Sequence, residues 1–84
     1  MPKRIEYDGE ALRVLQRMDR KTATRIIEKV EQLVTDPEAL ANNVMRLKGG
    51  DGLMRLRVGD WRVIYRDGVI LAVERIAPRS SAYD

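Results

Sequence analysis

The chain has 84 residues, 44% hydrophobic and 35% charged, with 16 Lys and Arg against 13 Asp and Glu for a formal net charge of +3. That length is one domain, residues 1–84. Without cysteine or histidine it excludes disulfides, thiolate metal sites and the commonest general base, leaving Tyr, Arg, Lys, Asp and Glu for any chemistry. No apolar run approaches the ~20 residues that cross a bilayer, and MPKRIEYD at the start lacks the apolar core of a signal peptide. The expectation is a cytoplasmic protein with no membrane partner, no metal and no cofactor.

Residues 4–7, RIEY, read as a short strand ending at Asp8, a plausible helix N-cap. Residues 9–18 place Leu12, Leu15 and Met18 at helical spacing beside Ala11. After a break around Asp19 and Lys21, the series Ala23, Ile26, Ile27, Val30, Leu33 and Val34 predicts a second amphipathic helix, with Thr22 as its cap. Asp36-Pro37 ends it, because a residue before proline is pushed out of the α region. PEALANN at 37–43 suggests one more turn, 44–47 an extended segment, and LKGGDG at 47–52 a loop.

Residues 53–66, LMRLRVGDWRVIYR, predict a hairpin closed by Gly59-Asp60, a two-residue loop with the glycine first that suits a type II′ turn. Val58 then opposes Trp61, Arg57 opposes Arg62, Leu56 opposes Val63 and Arg55 opposes Ile64. Opposed residues share a sheet face. Met54, Leu56, Val58, Trp61, Val63 and Tyr65 therefore make a core side, and Arg55, Arg57, Arg62 and Arg66 gather on the other. Like charges opposed across a ladder destabilise it, so four guanidiniums held together have reason to meet an anion, and planar Arg forks suit phosphate. Charge distribution agrees: residues 1–43 carry 8 basic and 8 acidic side chains, residues 44–84 carry 8 and 5, so the whole excess lies in the sheet half.

Asp67-Gly68 signals a type I′ turn, returning VILAVERI at 69–76 as a third strand that Pro78 stops. In that register Glu74 falls opposite Trp61, an awkward place for a carboxylate unless it pairs with an arginine or the strand is bulged. The predicted architecture is α+β: a short N-terminal strand, a two-helix hairpin, then a three-stranded antiparallel meander, with the helices over the Trp61 face and the arginine face open or lightly covered.

The order of these elements, the LKG of 47–49, the RLRVGDWRVIY of 55–65, the DG turn and a closing strand followed by an arginine and a tyrosine resemble the RelE/ParE superfamily of toxins from bacterial type II toxin–antitoxin pairs. The resemblance spans nearly the whole chain. It implies one of two activities on one fold: RelE-type members cleave mRNA in the ribosomal A site, and ParE-type members poison DNA gyrase without being nucleases. Both are neutralised by a small cognate antitoxin in a hetero-oligomer.

For the RelE type, the resemblance places phosphate-binding cations at Arg55 and Arg57 and catalytic groups at Arg62, Arg79 and Tyr83. A further basic strand position of the pattern falls on Leu53, and the histidine that many relatives carry just before the terminal arginine is Pro78 here, which leaves Arg79 as the only candidate acid. Tyr83 is the candidate base. A tyrosine has a reference pKa of about 10, and neighbouring guanidiniums favour its phenolate. Nothing in so small a chain positions RNA in line, so orientation by the ribosome would supply much of the barrier reduction. The implied function is a ribosome-dependent mRNA endonuclease acting by metal-independent 2′-hydroxyl attack. The alternatives are a ParE-type gyrase inhibitor and an inactive antitoxin-binding co-regulator.

Overall fold

A computed structural model describes residues 3–49 and 52–81. In chain order the elements are β1 (Ile5–Tyr7), α1 (Gly9–Arg17), α2 (Arg20–Thr35), a 3-10 helix (Pro37–Asn43), β2 (Val44–Arg46), β3 (Leu53–Val58), β4 (Trp61–Asp67), β5 (Leu71–Pro78) and a closing 3-10 turn (Arg79–Ser81).

Both helices start on aspartates. The Asp8 carboxylate accepts from the Glu10 backbone N–H at 3.2 Å, as the sequence predicts. The second cap is not Thr22: α2 begins three residues earlier in effect, with Asp19 accepting from the Thr22 N–H at 3.0 Å and from its hydroxyl at 2.7 Å. A carboxylate satisfies the orphan N–H groups and meets the positive end of the helix dipole, an advantage the hydroxyl lacks. Between α1 and α2 the Met18 N–H still reaches the Val14 carbonyl at 3.2 Å, so one short kink turns the chain. Asp36, before Pro37, ends α2 in a non-helical conformation.

The class is the predicted α+β, and the sheet is larger than a three-stranded meander. Five strands run in the order β1-β5-β4-β3-β2. The N-terminal strand joins one edge parallel to β5, pairing Ile5 with Leu71 and Tyr7 with Val73, and the extended segment at 44–46 joins the other edge antiparallel to β3. Lys3 ties down the first edge through Asp67 at 2.6 Å and the Gly68 carbonyl at 2.7 Å.

The Gly59-Asp60 hairpin has the predicted register, Val58 with Trp61, Arg57 with Arg62, Leu56 with Val63 and Arg55 with Ile64. Gly59 carries φ +58°, positive as the first position of such a turn requires. The second turn differs from expectation. Neither Asp67 nor Gly68 has a positive φ, so no type I′ turn forms. Instead Asp67 pairs with Leu71 across a three-residue loop in which the Gly68 N–H donates to the Ile70 carbonyl at 2.9 Å, and the strand starts at Leu71 rather than Val69. Shifting the start moves Pro78, not Glu74, opposite Trp61.

Glu74 is the extra residue of a bulge, since Ile64 pairs with Arg75 while the next residue, Tyr65, pairs with Val73. A bulge resets which side chains face which side. Here it keeps Val73 and Ile76 on the core and releases Glu74 to solvent, where it meets Arg66 at 3.0 Å.

One face of the sheet is closed by the helices. Ala11 and Leu15 of α1 and Ile26, Val30 and Leu33 of α2 pack with Leu56, Val58, Val63, Tyr65, Leu71, Val73 and Ile76 in a single core, with Trp61 and Met54 at its margin. The other face carries the arginines.

Candidate anion site on the open sheet face

The hairpin register alone sets Arg57 and Arg62 directly opposite each other, one rung from the turn, with Arg55 two residues further back on the same side of β3. Ile64 lies on this side too. It is 1% exposed yet outside the core cluster, and the register sets Arg55 and Arg75 beside it on the neighbouring strands, where long arginine stems can cover apolar surface while their charged heads stay in water.

Each guanidinium is then oriented individually. Arg62 curls back onto its own turn, with Nη1 donating to the carbonyls of Gly59 at 3.0 Å and Trp61 at 2.9 Å. Arg55 Nη2 reaches the Met45 thioether at 2.9 Å, held by the pairing of Met45 with Arg55 across β2 and β3. Arg79 arrives from the far end of β5: because Trp61 pairs with Pro78, Arg79 comes opposite Asp60, and its N–H donates to the Asp60 carbonyl at 2.7 Å. The fourth predicted cation of this face, Arg66, is drawn off by Glu74.

The Arg62 guanidinium sits at the electrostatic centre. Its proton affinity is lowered, first by partial burial and then by the charges of Arg55, Arg79 and Arg57 in that order, with Asp60 offsetting a part. A cation in that position is stabilised by an incoming anion. Beside it opens a cavity of about 250 Å³ lined by Asn42, Asn43, Val44, Met45, Arg55, Arg57 and Arg62, and next to Arg79 lies a second hollow bounded by Asp60, Pro78 and Ser80. Among the described residues no group of three or more carboxylates gathers at metal-binding distance.

Of the residues predicted from sequence, Arg55, Arg57, Arg62 and Arg79 thus come together at one end of the sheet. Tyr83 lies outside the described residues. Leu53, which takes the place of a basic residue in the family pattern, pairs with Arg66, away from the cavity. Sequence reasoning missed Asn42, Asn43 and Met45. The available signal was the alternation Asn43-Val44-Met45 at the head of a strand, which puts the first and third residues on the same side.

Residues 5–83 match the family model described as ParE toxin of type II toxin–antitoxin system, parDE. A protein of Methanocaldococcus jannaschii named "Putative toxin RelE1" is 30% identical over 83 residues, covering 94% of this chain and 92% of the relative. A chain of the archaeal RelE–RelB complex from Pyrococcus horikoshii superposes with a TM-score of 0.79 at 26% identity, covering 98% of this chain and 100% of that one. A free-state mutant of the E. coli toxin RelE superposes with a TM-score of 0.78 at 15% identity over 98% of this chain and 88% of that one, a likeness of fold.

Proposed function

The chain belongs to the RelE/ParE superfamily of toxins from type II toxin–antitoxin systems, and from that premise we propose that it is a ribosome-dependent mRNA endonuclease. The observation that carries this reading is the convergence of Arg55, Arg57 and Arg62 on one cavity, with Arg79 within electrostatic reach of Arg62. Relatives bearing the RelE name, one of them 26% identical over nearly the whole chain, support it.

In the proposed reaction the ribose 2′-oxygen attacks the adjacent phosphorus. A new 2′-O–P bond forms, the bond from phosphorus to the 5′-oxygen breaks, and a 2′,3′-cyclic phosphate remains. Tyr83 as phenolate takes the 2′-hydroxyl proton, and Arg79 supplies the proton to the leaving 5′-oxygen. Arg55, Arg57 and Arg62 face the phosphorane as its charge grows. Stabilising developing charge with preorganised groups is usually the largest catalytic term. Arg62 is preorganised for this, because two backbone carbonyls fix its guanidinium. A ribosome holding the mRNA in line provides the orientation that a small open sheet face does not. A cognate antitoxin, of the kind found with the RelE chains of the P. horikoshii and E. coli complexes, would hold the toxin inactive.

The match to a family model described as a ParE toxin favours a second reading, a gyrase poison that binds its target and hydrolyses nothing. One experiment separates the two. The protein is induced in cells, and the 5′ ends of mRNA are mapped alongside gyrase-linked DNA damage. The nuclease reading expects codon-phased cuts that fall about 10²- to 10³-fold in Arg62→Ala and are lost in Tyr83→Phe. Intact mRNA with an SOS response would instead establish the gyrase reading, and absence of toxicity an antitoxin-binding co-regulator.

A further inference from the structure

The phosphate chemistry leaves part of the arginine cavity without a task. Asn42 and Asn43 close it on the β2 side, and Val44 and Met45 complete its wall. Their placement follows from the register. Met45 pairs with Arg55, so Asn43, two residues earlier, lies on the same side, one position beyond the Val44–Leu56 rung and next to Arg57. Asn42 precedes it on the last turn of the 3-10 helix and also lines the cavity. Asn42 is exposed and Asn43 half-buried. Neither side chain is engaged by another described residue.

The wall therefore offers two unoccupied amide groups, each with donor and acceptor, and a thioether steadied by Arg55 at 2.9 Å. The floor offers guanidiniums. A nucleotide has this same division: an anionic phosphate, and a flat base with hydrogen-bonding edges. Single-stranded RNA is read through those edges and through stacking. Asn pairs bidentately with the N6 amino group and N7 of adenine, and a thioether packs well against an aromatic ring.

We propose that Asn42 and Asn43 are specificity-determining residues that read an adenine adjoining the phosphate held by Arg55, Arg57 and Arg62, with Met45 against the face of the base. The inference rests on the nuclease reading above and adds to it a substrate preference and the residues that set it.

The test uses the full chain and ribosomes programmed with short mRNAs in which each base in turn occupies the positions flanking the cut. Cleavage rates are compared for the wild type, the Asn42→Ala/Asn43→Ala double variant and Asn43→Asp, after circular dichroism has shown that the variants fold and melt normally. The wild type is expected to favour adenine at one of those positions. In the double variant the ratio of rates for adenine over guanine falls about fivefold or more, the lower end of what one such pair contributes. Asn43→Asp, which keeps the acceptor and loses the donor, moves the preference from adenine towards cytosine, whose N4 amino group a carboxylate accepts. Cleavage by the wild type with the same base profile in all variants, or a uniform slowing that leaves the ratios intact, overturns the base-reading role while the nuclease stands. Failure of the wild type to cleave any of these messages removes the nuclease and the base preference together.

Discussion

The two faces of the same five-stranded sheet are built from alternate residues of the same strands and obey opposite rules. On the helix side, Leu56, Val63 and Val73 are 0–1% exposed and belong to the core beneath α1 and α2. On the other side, Arg57 and Arg62 oppose each other at a cost to folding. One face is optimised for stability, and the other keeps a repulsion that an anion would relieve. The lesson is that a small domain can tolerate an unfavourable surface when a single covered face supplies its stability.

That contrast can be broken most severely at Leu56. Leu56→Ala is expected to cost about 2–5 kcal/mol, a large share of the ~5–15 kcal/mol that holds a domain together. Urea titration followed by circular dichroism checks it, and a loss below 1 kcal/mol would show that the helices do not close over this position.

Tyr65 sharpens the comparison through pH. Burial, with a smaller contribution from Asp67, pushes its phenol up to about 12 from the ordinary 10.0. The unfolded chain releases that proton first, so the stabilisation is complete below pH 10 and is lost as pH rises from 10 towards 12. Stability measured across this range should decline in the wild type and stay flatter in Tyr65→Phe. Tyr7 adds to the same alkaline decline, its phenol raised by burial and by Glu31.

A smaller effect belongs to the cap that sequence reading misplaced. Asp19→Ala should lower stability measurably, because it removes a helix cap, whereas an exposed acidic residue with no cap to make should change it hardly at all. Thermal melts of Asp19→Ala and Glu38→Ala side by side compare the two.

The smallest effect is expected on the arginine face. Arg57→Ala should leave stability unchanged or raise it by a few tenths of a kcal/mol, since it removes one of two opposed like charges. A loss above 1 kcal/mol would mean that Arg57 is a structural residue, contrary to the division of labour between the faces.

The legibility of the sequence tracks the range of the forces involved. The Gly59-Asp60 hairpin was readable because a two-residue turn sets register locally, and register dictates faces. The second turn was misread for the converse reason. Asp67 is engaged by Lys3 from the far end of the chain, a long-range contact that local turn preference does not contain. Glu74 signalled that something was irregular on β5, and the bulge with its partner Arg66 is how the fold accommodates it. Arg55, Arg57 and Arg62 were visible as a set from alternation alone. Asn42 and Asn43 were not, because the 3-10 helix they end reaches the cavity only once β2 has joined the sheet edge beside β3.

By itself the amino-acid order determined the two helices, the central hairpin, its apolar and cationic sides, and the family, because periodicity and tight turns act between near neighbours. The folded chain decided how many strands share the sheet, where β5 is bulged, which arginines remain with Arg62 and which one Glu74 takes. Those outcomes depend on pairings between residues far apart in sequence, and the geometry of such pairings exists only after the chain has closed on itself.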